Sequence, residues 1–409
     1  MVEAGGGRTG EHTAPAMTPS QRLYAAVSGA VPDRVPVVPK IWVDLAANLT
    51  GTSFVDVLED PLLALRVIVD AGRLVRADAV RQFHFPKRRI RRDGELLVEV
   101  DAAGRRRGRI DIDGGWATHL EDPREFDVED PYTMAHHTYW ACFGAPYVSS
   151  REEARRIAVP TRALYEELGW GDRQRQVLAE AGDTIALIGD LNSATLAFLV
   201  VLRGLETAMT DLVENPALVH AILEKGVEIA IERGRYVMDL GHRVLRLNDS
   251  VANMSLISPE SWREFVYPHM KTVCDELHRY DPSVRIYCHI CGNVTPILED
   301  LVALGLDCIG PLDPLGQMQA REVRRVVGGR VALMGGVDTL SFIRDRPEQI
   351  EQQARDCIEG AGESGGYVLG SGCVVPRAAS KQGLQALRQA AELYGQYQGG
   401  RLIDVTNAR

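Results

Sequence analysis

The chain has 409 residues, with 46 Lys plus Arg against 56 Asp plus Glu and a net charge of −10. That balance argues against nucleic acid or an anionic membrane as a general partner, because both need a basic face. Seven Cys, an odd number with no framework spacing, and no apolar run near 18 residues point to a cytoplasmic protein with reduced thiols and no membrane span.

In chain order, residues 1–17 are Gly-rich, polar and aperiodic and are expected to be a disordered tail. From Thr18, short apolar runs alternate with amphipathic stretches, the pattern of βαβ units and a parallel sheet. Eight strands are predicted, at 35–39, 78–83, 184–190, 242–249, 285–290, 306–312, 331–336 and 366–371. Helix starts carry a cap residue followed by Pro, as in Asp60-Pro61, Asn215-Pro216 and Ser258-Pro259, and Gly72 and Gly360 read as helix ends. The interval between strands two and three is too long for one crossover. Asp93-Gly94 and Ala103-Gly104 mark turns there, so a β-hairpin and a helical stretch are expected as an insertion over about 86–182. The basic runs at 87–92 and 105–109 read as opposite strands of that hairpin with a solvated surface, and His136-His137 read as surface residues. The expected architecture is a (β/α)8 TIM barrel with an N-terminal tail, spanning 18–400 as one domain, with a C-terminal tail at 401–409.

In such a barrel, reactive residues sit at the C-terminal ends of the strands. Asp190 ends strand three, Asn248 and Asp249 end strand four, and His289 and Cys291 end strand five, while Asp313 follows strand six, Asp338 strand seven and Cys373 strand eight. His289 and Cys291 are two apart, so on a strand end they share a face, while Cys288 and Ile290 point away. One His and two Cys form the three-ligand set of a catalytic zinc with an open fourth position. Cys142, Cys274, Cys288, Cys308 and Cys357 are read as non-ligands, and Asp338 as the cap of the helix that follows it. Asp249 and Asp190 are candidate catalytic carboxylates, able to accept a proton or hold a substrate hydroxyl or ammonium. Asn248, His84 and Trp42 are candidate substrate-binding residues at the mouth, and Tyr287 could line the pocket.

At RVPVVP, SPESWREFVYPHMK, CHICGN, MGGVDT and GGYVLGSGCVVP the chain resembles the uroporphyrinogen decarboxylase superfamily, and most closely its zinc-dependent, corrinoid-linked methyltransferase branch. The resemblance covers most of the chain from about Arg34. It implies zinc ligands at His289, Cys291 and Cys373 and methyl transfer involving cobalamin. No D-x-H-x-x-G corrinoid motif is present, so the cobalamin would come on a separate corrinoid protein. The other substrate would be a small-molecule methyl donor or thiol acceptor, and the reading leaves room for a homodimer. The decarboxylases use an Arg-rich segment after the first strand to hold propionates, where this chain reads KIWVDLAANLTG. The alternatives are a metal-free decarboxylase or lyase, a corrinoid-free zinc thiol alkyltransferase and a non-catalytic metal-binding subunit. Zinc content and response to cobalamin separate them.

Overall fold

The parallel strands form where β-branched and aliphatic runs can be buried on both faces. The computed structural model describes residues 16–112, 117–141 and 146–403. Its main sheet contains β1 (Ala79–Arg81), β7 (Ala186–Asn192), β8 (Val244–Asn248), β9 (Arg285–His289), β10 (Cys308–Leu312), β11 (Ala332–Val337) and β12 (Tyr367–Ser371). These seven strands pair in that order, every pair parallel. The sheet curls into a TIM-barrel-like arrangement with helices outside it.

The expected first strand, 35–39, forms no ladder. It nevertheless bonds both edges of the sheet: Val38 N donates to the Leu369 carbonyl at 2.7 Å, Leu369 N to Pro36 O at 2.9 Å, and Asp78 N to Val37 O at 2.8 Å. Pro36 and Pro39 have no N–H to give, which limits the segment to isolated bridges. Gly370 lets it approach, since a Cβ there would lie 2.4 Å from the Val38 carbonyl oxygen.

Inside the curl, Val38, Ala79, Ile188, Val244, Tyr287 and Met334 belong to one buried cluster with Leu23 and Ala26 of the helix Pro19–Val27. That helix starts with a capping box, Thr18 with Gln21. Beside it Asp78, buried, accepts from Arg22 Nη1 at 2.8 Å, from Arg34 at 2.6 and 2.7 Å, and from Val37 N at 2.7 Å.

Between β1 and β7 lies a second sheet of β2 (Ile90–Asp93), β3 (Leu96–Val100), β4 (Arg106–Ile110), β5 (Thr118–Leu120) and β6 (Trp140–Ala141), paired in chain order. The basic runs at 87–92 and 105–109 are therefore not hairpin partners: β3 pairs with both β2 and β4 and stands between them. Arg91 and Arg92 are exposed, but Arg88 is buried against Glu99 at 3.0 Å. His136 and His137 are also buried, not superficial. His136 packs against Trp140 and Trp170, and His137 against Phe198.

Gly72 and Gly360 lie inside the helices Pro61–Leu74 and Pro347–Ala361 and do not end them. A Cβ on Gly72 would come within 2.5 Å of Val80, so this glycine serves close helix–strand packing. Arg401–Ile403 (β14) pairs antiparallel with Gln396–Gln398 (β13) across Gly399-Gly400, both at positive φ, so order continues past the expected tail boundary at 401. The first fifteen residues, residues 404–409 and Cys142 lie outside the described residues. Among the described residues, no helix is long and apolar enough to cross a membrane.

Candidate metal centre and its cavity

The parity of the strands decides which side chains enter the barrel. His289 ends β9 and Cys291 follows it by two residues; Cys373 follows β12, three strands round the sheet. The structure brings the three together, with one ligand atom from each lying within 4.8 Å of the other two. Gly372 permits this turn of the chain, since a Cβ there would lie 2.5 Å from Pro314. Cys288, of opposite parity, is buried outside the barrel against Met270, at 3.7 Å between sulfurs.

The donor set is prepared for a cation. The Cys291 thiol donates to the Ser250 carbonyl at 3.7 Å, and its closeness to Cys373 draws the Cys373 pKa down to about 6, aided by the Val374 N–H and the Lys40 charge, and raises that of Cys291. The lowered Cys373 thiol is ready to ligate as a thiolate. Burial, with the charges of Arg81, Arg246 and Lys40, holds the His289 pKa well below 6.5, so the imidazole is neutral. The Tyr287 hydroxyl lies 2.8 Å from His289 Nδ1. Assigning the Nδ1 proton to that contact leaves Nε2 free to ligate, the usual way in which an outer partner fixes a ligand histidine. The cluster's chemistry, two thiols and one neutral imidazole at the mouth of a barrel, fits catalytic zinc.

A cavity of about 420 Å³ opens from this trio, within the usual range for ligand sites. Trp42, His84, Asp190 and Asn248, expected at the mouth, line it. Asp190 is paired with Arg246, whose Nε donates to Oδ1 at 2.6 Å, and Arg246 Nη1 donates to Asn248 Oδ1 at 2.9 Å. His84 stacks on Trp170 with centroids 4.1 Å apart, and burial drives its pKa well below 6.5.

Asp249 is elsewhere. It is not among the residues lining the cavity, and it is fully buried. Its Oδ2 accepts from the Thr195 hydroxyl and from Leu196 N at 2.8 Å, and its Oδ1 from Ala197 N at 2.8 Å. It therefore holds the first turn of the helix Leu196–Arg203 instead of facing substrate. β8 ends at Asn248, so the next residue points out of the barrel. Asp338 does cap its helix, accepting from Leu340 N at 2.9 Å.

Sequence reasoning missed several charged groups. Lys40 is buried, donates from Nζ to the Ser371 carbonyl at 2.8 Å and has a pKa drawn down to about 7 by burial and by Arg81. Arg246 could have been found by parity, being two before Asn248 on the same face. Arg233 also lines the cavity, with Phe83 and Tyr139. It comes from the long helix Pro216–Asp239, where its only signal is a charge on a stripe otherwise made of Gly226, Ala230 and Val237.

Comparison with known proteins now places the chain. The family model described as uroporphyrinogen decarboxylase (URO-D) matches residues 132–394. The chain belongs to the uroporphyrinogen decarboxylase family. Within this family, the chain is 26% identical over 192 residues to a methylated-thiol–coenzyme M methyltransferase of Methanosarcina mazei, covering 47% of this chain and 49% of that protein. It is 26% identical over 222 residues to the methylcobamide:CoM methyltransferase MtaA of Methanosarcina barkeri, covering 53% and 61%. A uroporphyrinogen decarboxylase of Aliivibrio salmonicida is 28% identical over 205 residues, covering 48% and 56%. The chain thus spans about half to three-fifths of the length of these curated relatives. A solved methyltransferase from Methanosarcina mazei shares the fold, with a TM-score of 0.69 at 19% identity, covering 92% of this chain and 98% of that one.

Proposed function

We propose that this protein is a zinc-dependent methyltransferase, moving a methyl group between a corrinoid on a separate protein and a thiol or methoxylated small molecule. The observation that carries this reading is the His289, Cys291 and Cys373 cluster at the head of a ligand-sized cavity. The names of the methyltransferase relatives agree with it. Zinc held by this trio would supply a Lewis acid with an open position, where a thiol ionises near neutral pH or an ether oxygen is polarised. The chain's own residues do the rest. Tyr287 fixes the orientation of His289. Cys291 and Cys373 would hold the metal as thiolates, with His289 as the neutral third ligand. The Arg246–Asp190 pair and Asn248 offer polar contacts to the substrate, and Trp42, Phe83 and Tyr139 keep water from the cavity wall.

The test is metal analysis of protein purified without added metal, combined with absorbance of methylcobalamin in the presence of a thiol. About one zinc per chain is expected. Cys291→Ser and Cys373→Ser should lose metal and demethylation of methylcobalamin together, because a hydroxyl ligates zinc far less well than a thiolate. Cys274→Ser, in buried packing, should keep both. Zinc-free wild-type protein that decarboxylates uroporphyrinogen would overturn the reading in favour of the decarboxylase activity.

A further inference from the structure

The three proposed ligands are not held alike. His289 lies inside the ladder: it pairs with Asn248 of β8 and Gly310 of β10, and its carbonyl accepts from Asp249 N at 2.9 Å. Cys291 comes two residues later, and the next N–H, that of Gly292, donates to Asp313 Oδ2 at 2.9 Å. Cys373 has a ladder on one side alone. β12 pairs with β11 as far as Val337 and Ser371, and Gly372 N continues to the Val337 carbonyl at 2.7 Å. On its other side runs the segment that begins at 35–39, which makes isolated bridges and no ladder.

At this seam one residue spans the bend that carries Cys373. Lys40 N donates to Ser371 Oγ at 3.1 Å, its Nζ donates to the Ser371 carbonyl at 2.8 Å, and its carbonyl accepts from Val375 N at 3.1 Å. Ser371 Oγ donates in turn to the Cys373 carbonyl at 2.6 Å. The bend from 371 to 375 is thus tied to Lys40 at both ends, with Cys373 at its centre. Any residue but proline could supply the two backbone contacts. The ammonium is what requires lysine, and it is a costly group to place there. Lys40 is 1% exposed, and among the described residues no carboxylate lies within ion-pair distance of its Nζ.

From this we infer that Lys40 is a positioning residue: its ammonium, through Ser371, holds the Cys373 thiol within bridging reach of Cys291 and His289. The metal that would bridge them rests on the proposed function; the tie to the bend does not. A role through charge would have the opposite sign. A cation beside a dication repels it, so removing a Lys40 that acted by charge alone would tighten the metal. Removing a positioning residue loosens it.

Two variants of the full chain test this. Lys40→Met keeps the stem and removes the ammonium, and Ser371→Ala removes the hydroxyl between Lys40 N and the Cys373 carbonyl. In chelator competition on the folded fraction, both should bind zinc roughly 10- to 100-fold more weakly than wild type, as when an outer partner of a ligand is lost. With cobalt(II) in place of zinc, the visible absorption of a tetrahedral site should lose intensity in both. Phenylarsine oxide, which bridges two thiols held close together, gives a readout that needs no metal. Zinc-free wild-type protein should capture it and Cys373→Ser should not. Lys40→Met should capture it roughly tenfold more weakly, because a looser bend lowers the effective concentration of the second thiol. Unchanged zinc affinity in either variant overturns the inference, as does unchanged arsenical capture by Lys40→Met. Tighter zinc in Lys40→Met also overturns it and gives the residue a charge role. A fall in Tm with the zinc affinity and cobalt spectrum of the folded fraction unchanged overturns it in favour of a purely structural contact. If Lys40→Met does not fold, Ser371→Ala decides alone. Wild-type protein that captures the arsenical but no zinc, with the loss in Lys40→Met intact, would sink the proposed function and leave the positioning role standing.

Discussion

The Asp249→Asn substitution exchanges a carboxylate oxygen for an NH2 group where three donors converge: the Thr195 hydroxyl, Leu196 N and Ala197 N. The Thr195 hydroxyl can turn to accept from the new amide, but one backbone N–H is left facing a donor in a fully buried site. An orphaned buried donor costs about 1–3 kcal/mol. Asp249→Ala, which leaves all three donors unmet, should cost more than Asn. Differential scanning fluorimetry at pH 7 should show Tm falling by several degrees in the order wild type, Asn, Ala, while zinc content and turnover per folded molecule stay near wild type. There is a second signature in pH. Burial raises the Asp249 pKa from 3.8 to about 6. The folded state then holds this proton more tightly than the unfolded chain does. The stability it contributes is fully present below about pH 4 and is lost as pH rises through about 6. The Asn variant should lack that slope. An Asn variant with unchanged Tm but turnover reduced tenfold or more would refute the capping account and restore Asp249 to the chemistry.

Tyr287→Phe removes the hydroxyl 2.8 Å from His289 Nδ1 and should weaken zinc roughly 10- to 100-fold in chelator competition without unfolding the protein. Asp78→Asn takes the charge from a buried carboxylate shared by Arg22 and Arg34 at the far end of the barrel. It should cost about 3–5 kcal/mol in thermal unfolding, with zinc stoichiometry of the folded fraction unchanged; a Tm within a degree of wild type would contradict it.

How much of this could be read from the sequence follows from how local each rule is. The parallel sheet was legible because strand runs and intervening helices announce themselves within ten residues or so. The 35–39 segment had the composition of a strand, yet Pro36 and Pro39 left it too few donors for a ladder, and only the structure shows it bonded to both sheet edges. Gly72 and Gly360 were misread because composition does not distinguish a glycine that ends a helix from one that lets a neighbour approach. The convergence of His289 and Cys291 was legible because it needs only the two-residue period of a strand. The same period, applied one strand earlier, would have corrected two errors. With Asn248 facing in, Arg246 must face in beside it and Asp249 must face out, toward the helix Leu196–Arg203, which is where they lie. Proximity to a strand end drew attention to Asp249, whereas parity decides which side of the barrel a residue serves. Parity does not extend to Arg233. That residue reaches the cavity from a helix outside the sheet, and its lack of a carboxylate partner is a property of the packed molecule. Residues carried by the barrel strands are thus recoverable from register, while a group that enters the cavity from the helical layer is visible only once the layers are assembled.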